Sequence, residues 1–254
     1  MEYNYTELMV CSAAREIKDG DKLLVGVGFP YVAAILAKMM HAPNLCILFE
    51  LGVYDSQPID PSIGAADPRS WYRATKFSGF LEVIGMIVHR GRLDCGVLGA
   101  LEVDQYGNIN STQLTQNGKI KHFNGSGGAN DIATLGKSTL VVSKHDKRKL
   151  KETIEYITSP GFLQGGTSRR DAGIKGGGVS RVITDKAVFS VEETTKRLKL
   201  LSIHPGITAE NIIENTGFAV DVKDVPLTTP PSETELKLIR EVIDPQGLYT
   251  GEKK

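Results

Sequence analysis

The hydrophobic residues of the chain recur at helix or strand spacing along most of its length. The first pattern predicts a helix that Thr6 caps and that Gly20 ends. An apolar run at residues 23–28 then predicts a strand entering a glycine turn, and residues 31–40 predict a second helix. The start of the chain therefore predicts a helix, a strand and another helix in succession.

The apolar run at residues 46–49 predicts a buried strand that Glu50 follows directly, before Gly52 breaks the pattern. In open α/β sheets, the carboxyl end of a strand is where functional groups usually lie. Glu50 is therefore a candidate catalytic residue. A second interpretation explains this segment equally well: Glu50 is a carboxylate at the solvent-exposed end of its strand that is only solvated or ion-paired.

The remainder of the chain predicts further helices and strands without a repeat or a low-complexity linker. The basic run at residues 144–151 predicts a solvated helix face, with phosphate binding as the alternative. We expect one domain over residues 1–254. The other expected elements are helices at 80–90, 209–215 and 232–242, strands at 92–102, 139–143 and 218–222, and a β-meander at 179–184, 186–190 and 199–203.

Glycines cluster in several turns of the chain. Gly26-x-Gly28 has the start of a dinucleotide-binding fingerprint, but the third glycine is missing and a tight strand-to-helix turn explains the pair equally well. The most glycine-dense loop spans residues 123–131. Its backbone N–H groups could face an anion, or the loop could be only a tight crossover connection. A second glycine-rich region spans residues 161–178 and includes Arg169.

Composition excludes several classes of function. The 30 basic and 30 acidic residues give a net charge of zero, so nothing favours nucleic acid or an anionic membrane surface. The three cysteines are widely spaced, which indicates core thiols in a reduced, cytoplasmic setting. The five histidines lack metal-ligand spacing, and the longest lightly charged run is too short to span a bilayer, so we expect no metal and a soluble protein.

Three segments, taken in order, resemble the β-subunit pattern of the family I coenzyme A transferases. They are Phe49-Glu50-Leu51-Gly52, Val103-Asp-x-x-Gly-Asn-x-Asn110 and Gly125-x-Gly-Gly-Ala-Asn-Asp131. The likeness continues through residues 156–161, 182–186, 214–218 and 238–245, which is nearly the whole chain. The resemblance implies an open, mostly parallel α/β sheet with helices on both faces plus a β-meander, the NagB/RpiA-like fold. It also implies a partner A subunit, in an α2β2 or higher assembly, with the active site between the two chains.

The resemblance also implies roles for individual residues. Glu50 matches the nucleophile of the family, which takes CoA from an acyl-CoA and passes it to a carboxylic acid through a glutamyl-CoA thioester. Coenzyme A is then a substrate, and no permanent cofactor is expected. The loop residues Gly127, Gly128 and Ala129 would supply oxyanion and CoA contacts. Asp104, Asn108 and Asn110 are expected to shape the neighbouring loop rather than to react.

Two other functions remain open at this point. The first is hydrolysis or decarboxylation of an acyl-CoA, but family members with these activities lack the glutamate that this sequence keeps at Glu50. Leu51 is a departure from the family pattern that could alter the choice of acid. The acid is expected to be a short, glutaconate-like dicarboxylic acid. A ligand-sensing module on the same fold would need neither Glu50 nor the glycine loop. The proline-rich segment at residues 54–69 is a candidate cover that excludes water.

Overall fold

The computed structural model describes residues 2–57, 64 and 66–251. Its strands are β1 (Lys22–Val25), β2 (Cys46–Phe49), β3 (Val53–Tyr54), β4 (Lys76–Phe77), β5 (Cys95–Gly99), β6 (Glu102–Asp104), β7 (Ile109–Asn110), β8 (Gln113–Gln116), β9 (Lys119–His122), β10 (Ser138–Ser143), β11 (Leu150–Lys151), β12 (Val179–Thr184), β13 (Ala187–Val191) and β14 (Leu198–Ile203). Its α-helices are α1 (Tyr5–Arg15), α2 (Phe29–Met40), α3 (Ala129–Leu135), α4 (Ser168–Asp171), α5 (Ala209–Asn215) and α6 (Glu233–Leu238). Leu81–Val88 and Ile239–Ile243 are π-helical, and Pro68–Trp71 is a 3-10 turn.

A nine-stranded sheet organises the chain in the order β14-β13-β12-β10-β5-β1-β2-β3-β4. The five strands from β12 to β2 are parallel, with Leu24 of β1 opposite Leu48 of β2 and Gly96 of β5. Antiparallel strands extend the sheet on both sides, and β12, β13 and β14 form the expected meander. The predicted fold class, an open, mostly parallel sheet, is confirmed.

Helices cover both faces of the sheet, which explains why its central strands are apolar on both sides. On one face, α1, α2 and the C-terminal helical segment bury Val10, Leu36 and Ile239. On the other face, α3 and the π-helical segment Leu81–Val88 bury Ile132 and Ile84. The carboxyl ends of the parallel strands are therefore held at a rigid edge, where side chains can be positioned accurately.

Four local predictions are wrong. Helix α1 ends at Arg15, five residues before the predicted Gly20. The cap of α1 is Asn4, not Thr6, because Asn4 and Glu7 exchange hydrogen bonds in a capping box that starts the helix two residues earlier. The basic run at 144–151 is not a helix, since the Asp146 side chain binds the N–H of Arg148 in a turn and β11 follows with Leu150 wholly buried. No strand forms at 218–222, and only the preceding residue, Gly217, makes an isolated bridge to Lys151.

The proline-rich segment falls partly outside the described residues, which omit 58–63 and 65. Near the end of this segment, a 3-10 turn begins at Pro68. The side chain of Asp67 caps this turn by accepting a hydrogen bond from the N–H of Arg69. Among the described helices, none has the length and apolar character needed to cross a membrane.

Candidate active site

Glu50 lies at the tip of the hairpin that joins β2 to β3. Phe49 and Val53 pair across this hairpin, and the N–H of Gly52 donates to the carbonyl of Phe49 at 3.0 Å. Gly52 has φ +106°, and a Cβ there would lie 2.3 Å from the carbonyl oxygen of Ser78. Only glycine fits such a turn without displacement of the backbone, so the position of Glu50 is tightly defined.

The glycine loop brings a backbone donor to this carboxylate. The N–H of Gly128 donates to Oε2 of Glu50 at 2.7 Å, although the two residues are 78 positions apart. A Cβ on Gly128 would lie 2.7 Å from the same oxygen, so a larger residue there would push the carboxylate away from this donor. Gly127 adopts φ +48°, which aids the turn into α3, and no residue in the described part of the chain accepts from its N–H. Ala129, by contrast, uses its N–H internally, in a 2.9 Å bond to the carbonyl of Ser126.

Ser111 holds the glycine loop at Gly125. Its Oγ donates to the carbonyl of Gly125 at 2.9 Å, and its carbonyl accepts from the N–H of Gly125 at 3.1 Å. The N–H of Ser111 donates in turn to Oγ1 of Thr158 at 2.9 Å. The loop is thus clasped by a residue that is 14 positions earlier in the chain.

Close packing of α3 against the sheet fixes the other end of the loop. A Cβ on Gly96, the second residue of β5, would lie 2.0 Å from Cγ2 of the buried Ile132. The missing side chain therefore lets α3 sit directly on the sheet, and the helix starts immediately after Gly128. The geometry at Glu50 depends on this close packing.

A cavity of about 380 Å³ opens beside Glu50, at the carboxyl ends of β1, β2 and β5. Leu51, at the hairpin tip, is 42% exposed and is not part of the cavity wall. A larger, more open depression of about 610 Å³ lies at the amino end of β10, around Lys137, away from Glu50. The lining of the smaller cavity comprises residues 24–27, Phe49, Glu50, Leu98, Gly99, Ser111, residues 124–127, Ala129 and Ile132.

The predicted Asp104, Asn108 and Asn110 form a buried scaffold behind the cavity rather than part of its wall. Asp104 accepts from the side chain of Asn108 at 2.8 Å and from its N–H at 3.0 Å. Asn110 donates to Glu102 at 2.8 Å, directly before Ser111 enters the cavity wall. Burial, outweighing these bonds, raises the pKa of Asp104 above its usual value.

Several cavity residues were not predicted from the sequence. Gly26, Val27 and Gly99 follow or end strands close to that of Glu50, so strand-end glycines are the signal that could have placed them here. Asn124 lies in the glycine-dense loop that the sequence singled out, whereas Ser111 gave no signal of its own, because its place depends on a contact with the distant Gly125. Within the residues that the structure describes, no group of three histidine, cysteine, aspartate or glutamate side chains could hold a metal ion.

Comparison with known proteins identifies the family. Residues 6–215 match the sequence model of the family described as coenzyme A transferase. The chain belongs to the coenzyme A transferase family. It is 36% identical to the B subunit of glutaconate CoA-transferase from Acidaminococcus fermentans, over 95% of this chain and 94% of that protein. It is also 34% identical to the B subunit of 3-oxoadipate CoA-transferase from Pseudomonas knackmussii, over 94% and 92% of the two chains.

The crystal structure of glutaconate CoA-transferase from Acidaminococcus fermentans superposes on this CoA-transferase family member with a TM-score of 0.91. It is 32% identical, with 100% of this chain and 99% of that chain covered. Other relatives have different activities. A cholesterol ring-cleaving hydrolase IpdB subunit from Rhodococcus jostii is 28% identical over 88% of this chain and 85% of that protein. The decarboxylase AibA/AibB is 25% identical, covers 99% of this chain and 100% of its own, and has a TM-score of 0.82.

Proposed function

We propose that the chain is the B subunit of a CoA-transferase that moves CoA between an acyl-CoA and a short, glutaconate-like dicarboxylic acid. The observation that supports this most is the Glu50 carboxylate, which borders the cavity with one oxygen bonded to the N–H of Gly128. The substrates named for the relatives, glutaconate and 3-oxoadipate, support the choice of a dicarboxylic acid. The chain acts as one domain in a cytoplasmic setting, in keeping with its three free cysteines.

Glu50 serves as both nucleophile and CoA carrier. One carboxylate oxygen attacks the thioester carbonyl of the donor, and the tetrahedral intermediate expels CoA thiolate to leave a mixed anhydride on Glu50. The thiolate then attacks the glutamyl carbonyl and releases the donor as a free carboxylate. Glu50 now holds CoA as a thioester, and the acceptor carboxylate reverses both steps. A carboxylate oxygen attacks without first losing a proton, so no general base has to activate it.

The glycine loop stabilises the charge that develops on Glu50. When thiolate attacks the glutamyl carbonyl, its oxygen becomes an oxyanion, and the N–H of Gly128 already bonds an oxygen of this carboxylate in the free protein. The N–H of Gly127 offers a second donor. Loss of one such donor typically costs about 3–4 kcal/mol of transition-state stabilisation.

An A subunit covers the cavity in this proposal, in an α2β2 or higher assembly. Exposed apolar residues beside the Glu50 hairpin support this: Leu51 is 42% exposed, Phe77 62% and Leu81 80%. Clustered exposed apolar side chains of this kind mark interaction surfaces. The two transferase relatives support the same arrangement, since both are named as B subunits. Covering the cavity also protects the anhydride and the thioester from water.

Trapping the intermediate tests the proposal. The complex with its A subunit is incubated with acyl-CoA in the absence of acceptor and then treated with hydroxylamine. We expect inactivation and a hydroxamate on Glu50, detected by peptide mass spectrometry. Glu102 provides the control, because it is a buried carboxylate at the start of β6, outside the cavity wall, and should remain unlabelled. Labelling elsewhere with Glu50 unmodified would contradict the assignment.

Hydrolysis or C–C bond cleavage of an acyl-CoA is the second candidate function. The ring-cleaving hydrolase and decarboxylase relatives favour it, together with the unusual Leu51 beside the nucleophile. Dependence on the acceptor separates the two functions. A transferase releases no further free acid once every Glu50 holds CoA, whereas a hydrolase continues to turn over without a second carboxylic acid.

A further inference from the structure

The guanidinium of Arg169 is buried among main-chain carbonyl groups. The residue is 5% exposed, and no carboxylate in the described part of the chain pairs with it. Each acceptor is a backbone oxygen. Nε donates to Gly176 at 3.0 Å, Nη1 to Pro160 at 2.9 Å and to Gly161 at 2.7 Å, and Nη2 to Ala133 at 2.7 Å and to Thr134 at 3.3 Å.

This arrangement uses the full donor capacity of arginine. A guanidinium has five N–H donors in a fixed plane, and here they meet five carbonyl oxygens. Burial lowers the pKa of Arg169 to about 10, so the side chain keeps its charge at neutral pH. A buried cation without a carboxylate is costly unless its donors are all satisfied, and the carbonyl groups meet that need. Lysine has only three donors, all on one atom, and cannot reproduce this pattern.

Two of these carbonyl groups lie at the C-terminal end of α3, the helix that starts directly after Gly128. Ala133 and Thr134 lie in the last turn of α3, whose carbonyls have no partner within the helix. A helix of seven residues is too short to be stable alone and depends on such external contacts. At its other end, Gly128 donates to Glu50. Arg169 therefore fixes one end of α3 while the other end contacts the nucleophile.

The contacts of Arg169 with Pro160 and Gly161 also connect it to the glycine loop, through Thr158 and Ser111. Pro160 and Gly161 come two and three residues after Thr158 in the chain. Oγ1 of Thr158 accepts from the N–H of Ser111. The carbonyl of Thr158 also accepts from the side chain of Asn130 in α3 at 2.8 Å. Because Ser111 clasps the glycine loop, the Arg169 guanidinium connects α3 with the segment that supports that clasp.

We propose that Arg169 is a positioning residue, which sets the placement of the Gly128 N–H against the Glu50 carboxylate by bonding the carbonyl end of α3 to the segment at residues 158–161. The effect on turnover rests on the function proposed for Glu50. The effect on the position of the Gly128 N–H does not rest on that function, and it can be measured in the isolated chain.

The test compares Arg169→Lys and Arg169→Ala with Arg170→Lys as the matched control. Arg170 is the next residue of α4, and its side chain is 80% exposed. In complex with the A subunit, we expect Arg169→Lys to lower kcat roughly 10- to 100-fold, since small misplacements of reacting groups have effects of this size. KM for the acyl-CoA should stay within about threefold, because a loss confined to the transition state leaves binding unchanged.

Two further measurements separate positioning from general stabilisation. Amide hydrogen exchange at Gly128 in the isolated chain should accelerate in Arg169→Lys and stay unchanged in Arg170→Lys. Added guanidinium ion should restore part of the kcat of Arg169→Ala and none of the deficit of a Glu50→Gln complex. If Arg169→Ala does not fold, Arg169→Lys alone decides the question.

A lower melting temperature of Arg169→Lys with wild-type kcat and wild-type exchange at Gly128 would overturn the proposal and leave Arg169 a purely structural residue. Failure of the proposed function gives a different result. In that case Glu50→Gln keeps the activity of the complex, while faster exchange at Gly128 in Arg169→Lys still supports the positioning role.

Discussion

The carboxyl edge of the central sheet has two halves that differ in structure. At the ends of β1, β2 and β5, the edge opens into a cavity of about 380 Å³ that Glu50 borders. At the ends of β10, β12 and β14, the same edge is filled by a polar cluster in which His145 and His204 are 4% and 0% exposed. Both halves present titratable side chains after strands, so position at this edge does not by itself make a residue functional.

What differs is how completely each side chain is bonded. His145 contacts the hydroxyls of Thr184 and Thr216 at 2.9 and 3.0 Å, so both of its ring nitrogens have partners. His204 is equally satisfied, by the hydroxyl of Thr228 and the carbonyl of Thr184. Glu50 has one hydrogen bond within the described residues, to Gly128, and open volume beside it. A group that reacts needs such spare bonding capacity, whereas a group that stabilises the fold does not.

The largest effect should come from Glu50→Gln. The amide keeps the shape of the side chain but is a far weaker nucleophile, so we expect transferase activity of the complex to fall at least about a thousandfold. The free energy of unfolding should change by no more than about 0.5 kcal/mol, since the side chain is only partly buried. Exchange of label between acyl-CoA and acid measures the first quantity, and urea unfolding measures the second.

His204→Gln provides the opposite case. It disturbs a fully buried ring with two partners, so it should lower the free energy of unfolding by about 2 kcal/mol while kcat stays near the wild-type value. If Glu50→Gln instead unfolds the protein and His204→Gln abolishes transfer, the roles assigned to the two halves are reversed.

The histidine half should also make stability depend on pH. Burial lowers the pKa values of both His145 and His204 from 6.5 to about 4, and for His145 the nearby Lys186 adds a smaller effect in the same direction. Between pH 6.5 and about 4, the unfolded chain therefore binds protons that the folded chain does not. The free energy of unfolding is undiminished above pH 6.5 and falls as the pH drops through this window, by up to about 3 kcal/mol per histidine.

Urea unfolding at pH 7.5 and pH 4.5 measures this dependence. The double variant His145→Gln/His204→Gln should have lower stability at the higher pH and a shallower loss on acidification. His122→Gln, at an exposed position, is the control and should retain the wild-type dependence. An unchanged acid response in the double variant would mean that other groups govern it.

Gly128→Ala should have an intermediate effect, confined to the open half. The added Cβ would lie 2.7 Å from Oε2 of Glu50, so the carboxylate has to move away from its donor. We expect kcat to fall roughly 10- to 100-fold with little change in the free energy of unfolding. Gly85→Ala is the matched control, because its Cβ meets nothing within 4 Å. Equal losses in the two variants would show that the contact with Glu50 is not what matters.

The sequence predicted the open half of the edge better than the closed half. Glu50 follows an apolar strand and the loop at residues 123–131 is the densest in glycine, so local patterns marked both segments, and the resemblance to the CoA transferases then singled out Glu50 and Gly128. The scaffold of Asp104 and Asn108 was also visible, because its bonds span four residues. Local spacing is informative where the structure depends on neighbours in the chain.

Contacts between distant segments were not predictable in this way. The five carbonyl partners of Arg169 come from three separate segments, and nothing in the local pattern distinguished it from the exposed Arg170. The basic run at 144–151 suggested a helix by composition, but the burial of Leu150 and its pairing with β6 decided the outcome. Tertiary packing overrides such weak local preferences.

Ser111→Ala should have the smallest effect and is the sharpest test of what distinguishes the two halves. It removes the bond from Oγ to the carbonyl of Gly125 but leaves the main-chain bond between the same residues, so stability should fall by about 1 kcal/mol and kcat by about threefold. Ser180→Ala removes a side-chain bond of 3.3 Å to the carbonyl of Thr139, at the amino ends of β12 and β10 and away from the cavity, and should leave kcat unchanged. If both variants keep wild-type kcat, the main chain alone holds the glycine loop, and the difference between the halves then depends on the pairing of Glu50 with Gly128.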